Sequence, residues 1–297
     1  MYRYRLYGWT IVSDLEFPQL VKEKEDMPQA PEIYVEAYEI PGEIKEITDK
    51  KYVFGRERSW LANKTVWIMV EGGTHIRYQL TGGGMPTYLQ TYILGYGMSM
   101  LAMQRGNLAI HCSAVADADG AVLIAGESGA GKSTLTTAFL EKGYRLLADD
   151  MAIVETAQGS TMVHPAFPFQ KLCRNVAMEK GYKMEELIYI DEEKDKFLVP
   201  YRGDFGVEPV PVKAFIMLGL SDGETVSVKE IKGFDRFYVY ANNLFLRHFL
   251  KGDKYSPQIG QKCLEMAAVV PTWCIARPVA GDTARTVIER TFEVVDK

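Results

Sequence analysis

The chain has 297 residues, of which 47% are hydrophobic and 25% are charged, and its formal net charge is −5 at pH 7. This composition is typical of a globular protein, and the length allows one large domain or two modest ones. It argues against a disordered chain, a coiled coil or a collagen-like fibre. Non-specific binding of nucleic acid draws on clustered basic charge, so we expect this mildly acidic chain to have no nucleic-acid partner.

The cysteines and the N-terminal residues predict a cytoplasmic protein. The cysteines are scattered and form no CxxC pair, which is typical of reduced thiols: Cys112, Cys173, Cys263 and Cys274. The first residues alternate aromatic and basic side chains and contain no apolar stretch of the signal-peptide type. No run of about 18 apolar residues is present, so we expect no membrane partner.

Residues 1–85 are predicted to form a β-rich N-terminal domain. Tyr2, Tyr4 and Leu6 alternate with arginines, which is the pattern of a half-buried strand. Further β-branched and aromatic runs predict strands at 33–35, 51–54, 65–70 and 75–80, with a hairpin turn at 72–73. A cluster of chain-breaking residues at 81–86 predicts a boundary, so the second domain is expected to span 86–297.

The second domain is predicted to mix helices and strands. A helix is expected at 88–104, and an apolar run at 108–115, interrupted by His111, precedes a tight turn at 117–120. A buried strand at 121–125, a helix ending near Lys142 and a strand at 144–148 follow. Later segments are predicted as helix or loop at 177–196, strands at 210–220 and 270–275, and helices at 243–250, 258–269 and 283–294.

The segment GESGAGKS at residues 126–133 matches the pattern G-x-x-x-x-G-K-[ST] of a phosphate-binding loop. Glycines let backbone N–H groups approach phosphate oxygens, and the start of the following helix offers unpaired donors to the anion. Lys132 is expected to bridge the β- and γ-phosphates, and the hydroxyl of Ser133 to bind Mg²⁺. The predicted nucleotide-binding residues are Gly126, Glu127, Ser128, Gly129, Ala130, Gly131, Lys132, Ser133 and Thr134.

Two further features are predicted to lie beside this loop. Asp149 and Asp150 end the strand that follows the loop's helix, where one carboxylate can serve Mg²⁺ and the other can accept a proton from a substrate hydroxyl. A hairpin at residues 117–120 would bring the strand of His111 alongside the strand that leads into the loop. His111 could then bind phosphate or tune the acidic pair.

Residues 105–155 resemble the catalytic domain of the HPr serine kinase/phosphorylase family. The resemblance is carried by His111-Cys112-Ser113-Ala114-Val115, by the loop at 126–134 and by the segment 143–150 that ends in Ala-Asp-Asp, in that order. It implies an α/β fold, a P-loop kinase domain of the HPr kinase or phosphoenolpyruvate carboxykinase type, preceded by the β-rich N-terminal segment. It also implies ATP and Mg²⁺ as cofactors.

By this resemblance, His111, Lys132, Asp149 and Asp150 are the catalytic residues, and Ser133 and Asp150 are the ligands of Mg²⁺. The sequence does not decide which aspartate is the base, and we favour Asp149. The family's enzymes resemble ring-forming proteins, so a homo-oligomer is one expectation. His111 is followed by cysteine where the family has glycine, and the family's Arg-Gly-Leu-Gly signature is at best partly present at 201–206. The second departure weakens the expectation of HPr as substrate and of the reverse reaction.

The N-terminal part contains the segments SDLEFP at 13–18 and QRGNL at 104–108. With these, the whole chain is more similar to the HPr-kinase-like proteins of lasso peptide biosynthesis, some of which phosphorylate the C-terminal serine of a precursor peptide. That similarity implies such a kinase. A basic helix face with Arg247, His248, Lys251 and Lys254 is a candidate site for the peptide's carboxylate. Two alternatives remain open. The acceptor could be a small molecule such as free serine or a sugar, or the chain could be a regulatory module that binds ATP without catalysis.

Overall fold

The computed structural model describes residues 1–42, 52–63, 66–81, 88–127, 129–191, 195–247, 249 and 256–296. The chain divides into two compact units. The first unit comprises Met1–Asn107 and Phe169–Pro200, and the second comprises Leu108–Pro168 and Tyr201–Lys297. The predicted boundary near residue 85 lies outside the described residues, so the division into domains 1–85 and 86–297 stays a prediction.

The described residues of both units contain many strands. In chain order these are β1 (Tyr2–Leu6), β2 (Trp9–Ser13), β3 (Val21–Lys22), β4 (Glu32–Ala37), β5 (Tyr52–Val53), β6 (Arg58–Ala62), β7 (Val66–Glu71), β8 (His75–Leu80), β9 (Leu108–Ile110), β10 (Ser113–Ala116), β11 (Ala121–Gly126), β12 (Arg145–Ala148), β13 (Ala152–Ala157), β14 (Ser160–His164), β15 (Phe169–Cys173), β16 (Ile188–Asp191), β17 (Lys196–Pro200), β18 (Val210–Ser221), β19 (Ser227–Ile231) and β20 (Thr272–Pro278).

Helices are fewer among the described residues, and those of eight or more residues belong to the second unit. They are α1 (Leu89–Tyr92), a π-helical turn (Ile93–Gly97), α2 (Met98–Gln104), α3 (Lys132–Glu141), α4 (Arg174–Glu179), a 3₁₀ turn (Met184–Glu186), α5 (Asp235–Asn242), α6 (Pro257–Val269) and α7 (Ala284–Val295). Among the described residues, none of these helices combines the length and the apolar character needed to cross a bilayer. Since strands and helices occur in both units, the protein is of mixed α/β class, as expected.

In the first unit, an eight-stranded sheet has the order β3-β1-β2-β4-β8-β7-β6-β5, and a three-stranded sheet has the order β15-β17-β16. The predicted N-terminal strands are present, and β7 and β8 form the predicted hairpin at Gly72 and Gly73. The prediction of helix or loop at 177–196 was wrong in part, because β16 and the start of β17 lie there. Both are short apolar runs flanked by charged residues at 185–186 and 191–196, so the segment as a whole shows no strand periodicity.

The predicted alternation of β1 fails at Arg5, which is only 6% exposed. Its guanidinium is paired with the Glu23 carboxylate at 3.3 Å and donates a hydrogen bond to the carbonyl of Pro28. A buried arginine is tolerated only when it is paired in this way. The strand therefore buries a cation on a face where sequence periodicity predicts solvent.

In the second unit, one sheet has the order β12-β10-β11-β18-β14-β13-β9, with β20 also paired to β18 and β19 paired to β20. The strands β11, β18 and β20 run parallel, and the pairs β10–β11 and β10–β12 are antiparallel. Because parallel strands end at the same edge of a sheet, the carboxyl ends of β11 and β20 lie at one edge. That edge carries the loop predicted to bind phosphate.

Helix α3 packs onto this sheet through a buried aromatic cluster. Phe139 is fully buried, and its ring centroid lies 4.8 Å from that of Tyr144 and 4.6 Å from that of Phe292 on α7. Gly143 follows the helix with φ of 93°, the left-handed conformation that glycine adopts after a helix end. The helix predicted to end near Lys142 is thus confirmed, and its packing holds the loop's helix start in place.

Two predicted elements of this unit differ from the structure. The apolar run at 108–115 forms two strands, with His111 between them, because the His111 N–H donates to the carbonyl of Asn243 and the Cys112 N–H donates to Ile110. The helix predicted at 243–250 was wrong over its described part, since α5 ends at Asn242 and turns follow. There the Asn243 amide and the Phe245 N–H donate to Val239 and Ala109 respectively.

Candidate functional site

The predicted phosphate loop connects the buried strand β11 to the first residue of α3. Gly126 lies so close to β18 that a Cβ atom there would be 2.8 Å from the Leu218 carbonyl oxygen and 2.9 Å from its Cβ. Gly129 and Gly131 have φ of 83° and 108°, conformations that residues with a Cβ rarely adopt. The three glycines are therefore required by the backbone itself. Ser128, also predicted to bind nucleotide, lies outside the described residues.

Internal hydrogen bonds shape the loop. The Ala130 N–H donates to the Glu127 carbonyl at 3.1 Å, and the Leu135 N–H donates to the Gly131 carbonyl at 2.9 Å. The side chain of Ala130 is buried, whereas Ser133 and Thr134 in the first turn of α3 are exposed. The first N–H groups of a helix have no partner within the helix, so this turn can offer donors and a positive dipole end to an anion.

Lys132 and His111 are in direct contact. The Lys132 Nζ lies 2.9 Å from the His111 Nε2. A charged ammonium only donates, so Nε2 acts as the acceptor and the ring proton is assigned to Nδ1. The Nδ1 atom lies 3.8 Å from the Asp150 Oδ1. The imidazole therefore stands between the loop lysine and one member of the predicted acidic pair.

The other member, Asp149, is held by a serine. The Ser113 hydroxyl, which is buried, donates a hydrogen bond to the Asp149 Oδ1 at 2.7 Å. The contact follows from the sheet, because Ala114 of β10 pairs with Ala148 of β12. The next residue, Asp150, has φ of 70°. A non-glycine residue in this region stores backbone strain, a feature common at functional sites.

The four side chains predicted to be catalytic thus lie around one position in the second unit. Cys112 lies within the same group and feels the charges of Lys132, Asp149 and Asp150, but burial raises the pKa of its thiol to about 12. It is therefore a neutral thiol at physiological pH. Since the thiolate is the reactive form, Cys112 is not a nucleophile here.

Sequence reasoning passed over two residues of this site. Ser113 stood inside the quoted His111–Val115 segment, but only the pairing of β10 with β12 shows that it meets Asp149. Arg277 at the end of β20 donates from Nη2 to the Gly129 carbonyl at 2.6 Å. No pattern in the sequence connects positions 129 and 277, because the contact depends on the order of the strands.

The residues predicted to bind Mg²⁺ fit a hard cation. Ser133 offers an exposed hydroxyl at the start of α3, and Asp150 offers a carboxylate that is 20% exposed. Over the described ranges, no three His, Cys, Asp or Glu side chains form a cluster that could hold a metal by themselves. Mg²⁺ is commonly held by one or two carboxylates together with phosphate oxygens and waters, so such a cluster is not required.

The predicted basic helix is not observed in the described residues. Arg247 lies in a turn, and its Nε is 3.4 Å from the Asn242 Oδ1. His248, Lys251 and Lys254 lie outside the described residues. The site predicted for a peptide carboxylate therefore stays a prediction.

No family model and no curated protein matches the chain, whereas solved structures do. One matching solved structure is that of the Hpr(Ser) kinase/phosphatase from Coxiella burnetii, with 15% sequence identity and a TM-score of 0.29 over 63% of this chain and 96% of that chain. At this TM-score the likeness assigns no function to the present chain.

Proposed function

We propose that this protein is an ATP-dependent kinase that phosphorylates a serine hydroxyl of a peptide. One observation carries the proposal: the lysine of a phosphate-loop sequence contacts His111, which faces Asp150, while Asp149 is held by Ser113 in the same unit. A loop for phosphate, a cation and a pair of carboxylates are the parts that phosphoryl transfer to a hydroxyl requires.

In the proposed reaction each residue of the site has its own role. The N–H groups at the start of α3 and the Lys132 ammonium would hold the phosphates and offset their charge. Ser133 and Asp150 would hold Mg²⁺, which when bound neutralises charge on the transferring group. His111 would fix the orientation of the Lys132 ammonium by accepting its hydrogen bond at Nε2. ATP supplies the phosphoryl group and leaves as ADP.

Asp149 is our choice for the base. Ser113 fixes the orientation of its carboxylate, as a base must be fixed to meet the hydroxyl of the acceptor. The proton of the acceptor hydroxyl would pass to this carboxylate as the oxygen bonds to phosphorus. Asp150, which faces the imidazole of His111, is better placed to bind Mg²⁺ beside the phosphate loop.

For the acceptor, we propose the C-terminal serine of a lasso peptide precursor. The support is the resemblance of residues 105–155 to serine kinases and of the whole chain to the kinases of such precursors. A fold of the HPr kinase or phosphoenolpyruvate carboxykinase type is part of the same proposal, as are a cytoplasmic location and the formation of homo-oligomers.

The test is incubation with Mg·ATP and a panel of acceptors, namely peptides ending in serine, the same peptides ending in alanine, free serine and sugars. We expect one added phosphoryl group, found by mass spectrometry, on serine-ended peptides alone. Lys132→Ala and Asp149→Asn should abolish the transfer. Lys232→Ala, at a lysine that is 72% exposed, and Asp222→Asn, in the exposed turn after β18, should not affect it.

Other outcomes would reject parts of the proposal. Phosphorylation of free serine or a sugar alone would support the proposed kinase activity but reject a peptide as its acceptor. Binding of ATP without transfer to any acceptor, together with unchanged behaviour of Asp149→Asn, would indicate a regulatory nucleotide-binding module instead.

A further inference from the structure

Arg277 reaches the phosphate loop from a distant part of the chain. It lies on β20, where it pairs with Leu220 of β18, and β18 pairs on its other side with β11, which leads into the loop. The guanidinium donates from Nη2 to the Gly129 carbonyl at 2.6 Å and from Nη1 to the Pro278 carbonyl at 2.9 Å. One side chain thus joins the end of β20 to the loop, across the end of β18.

The contact fixes the orientation of one peptide group in the loop. The carbonyl of Gly129 accepts from Arg277, and the N–H of the same peptide, at Ala130, donates to Glu127. Gly129 has φ of 83°, and nothing lies within 4 Å of where its Cβ would be. Glycine peptides rotate readily, and a carbonyl that turned toward an anion would repel it. Fixing this carbonyl on Arg277 therefore disfavours arrangements of the loop in which it would face a bound phosphate.

The charge of Arg277 also stays beside the loop. Among the described residues, both of its hydrogen-bond partners are backbone carbonyls, and no carboxylate forms an ion pair with it. A guanidinium is charged at all physiological pH values. Its positive potential therefore adds to that of Lys132 and the start of α3 where an anion would bind.

We infer that Arg277 is a positioning residue for the nucleotide, which holds the phosphate loop in its binding arrangement before the nucleotide arrives. The inference rests on the proposed binding of ATP at this loop. Without Arg277, the loop would lose a charged hydrogen bond and sample other arrangements, and binding would have to restore the order. We expect Arg277→Met to weaken Mg·ADP binding by about tenfold to a hundredfold.

The experiment is calorimetric titration of Mg·ADP into the wild-type protein, Arg277→Met, Arg277→Lys and the control Arg285→Met. Arg285 is 91% exposed on α7, where it pairs with Glu289, so its loss should leave binding unchanged. Lysine can still donate one bond and supply the charge but lacks the forked geometry, so Arg277→Lys should bind with intermediate affinity. If Arg277 only stabilised the fold, Arg277→Lys would not recover part of the affinity that Arg277→Met loses when the two variants have equal melting temperatures.

The outcomes separate this inference from the proposed function. If the wild type does not bind Mg·ADP, the proposed function fails. If the wild type binds and Arg277→Met binds as tightly as Arg285→Met, the inference is overturned. If Arg277→Met does not fold, Arg277→Gln replaces it, with the same loss expected and with wild-type affinity again overturning the inference.

Discussion

Two hydrogen bonds determine how single side chains can act in the second unit. The bond from Lys132 to His111 sets the tautomer of the imidazole, and the bond from Ser113 sets the direction of the Asp149 carboxylate. Neither His111 nor Ser113 belongs to the phosphate-loop pattern. In the proposed kinase each of them would position a charged neighbour: His111 the lysine that holds the phosphates, and Ser113 the carboxylate that serves as the base.

Ser113→Ala tests whether Ser113 positions Asp149, the proposed base. Ser113→Ala removes the hydrogen bond that orients the Asp149 Oδ1, so we expect the rate of phosphoryl transfer to fall by at least about tenfold while the affinity for Mg·ADP is retained. The measurement pairs initial rates with a calorimetric titration. Ser99→Ala is a matched control, because Ser99 is a buried serine of the first unit that donates to the Tyr96 carbonyl. Equal rates in both variants would contradict a role for Ser113.

Gly126→Ala tests the close packing of the loop on β18. The new methyl group would overlap the Leu218 carbonyl oxygen, so we expect a loss of about 1–3 kcal/mol in the free energy of unfolding and weaker binding of nucleotide. Urea denaturation measures the first effect. Gly260→Ala is the control, since Gly260 lies inside α6 with nothing within 4 Å of its Cβ position and should gain stability slightly. An unchanged or raised free energy of unfolding for Gly126→Ala would show that β18 shifts to accommodate the methyl group, and would contradict the prediction.

At the scale of elements, the hairpin of β1 and β2 in the first unit depends on one carboxylate. Glu23 accepts hydrogen bonds from Thr10 and Arg3 and pairs with Arg5. Burial alone would raise the pKa of Glu23, but these hydrogen bonds and positive charges outweigh it and hold the pKa below its ordinary value. The ionised carboxylate therefore stabilises this set of strands.

The pH dependence of stability follows from that shift. A depressed pKa in the folded state means that Glu23 stabilises the fold above the pKa of an unfolded glutamate, and that this stability is lost as pH falls through the folded pKa. We expect Glu23→Gln to be less stable than the wild type at pH 7, with the difference narrowing in acid. Denaturation at several pH values measures it, with Glu25→Gln at an exposed position as control. A difference that does not change with pH would contradict the assignment.

The elements that the sequence predicts best are those that carry a local signal. The strand at 2–6, the buried strand at 121–125 and the loop with its helix are examples, because neighbouring residues alone indicate them. Arg5 and His111 were misplaced because a distant Glu23 and a distant Asn243 decide their environments. The helix predicted at 243–250 failed because Asn243 turns the chain toward β9. Contacts between distant residues, such as Ser113 with Asp149 and Arg277 with Gly129, need the strand order, which no local pattern contains.

At the scale of the whole molecule, the residues proposed for catalysis all belong to the second unit. They come from the turn after β9, from the first residue of α3 and from the two residues that follow β12, and the sheet of this unit brings them together. We propose that this arrangement transfers a phosphoryl group from ATP to a serine hydroxyl and does not merely bind the nucleotide.

The most direct test of this claim is phosphorus NMR of the wild-type protein with Mg·ATP and a peptide ending in serine. We predict that the γ-phosphate resonance of ATP decays while ADP and a phosphoserine resonance grow in equal amounts, and that Asp149→Asn shows none of this. Unchanged ATP, or release of inorganic phosphate with no phosphoserine, would contradict the proposed transfer to serine.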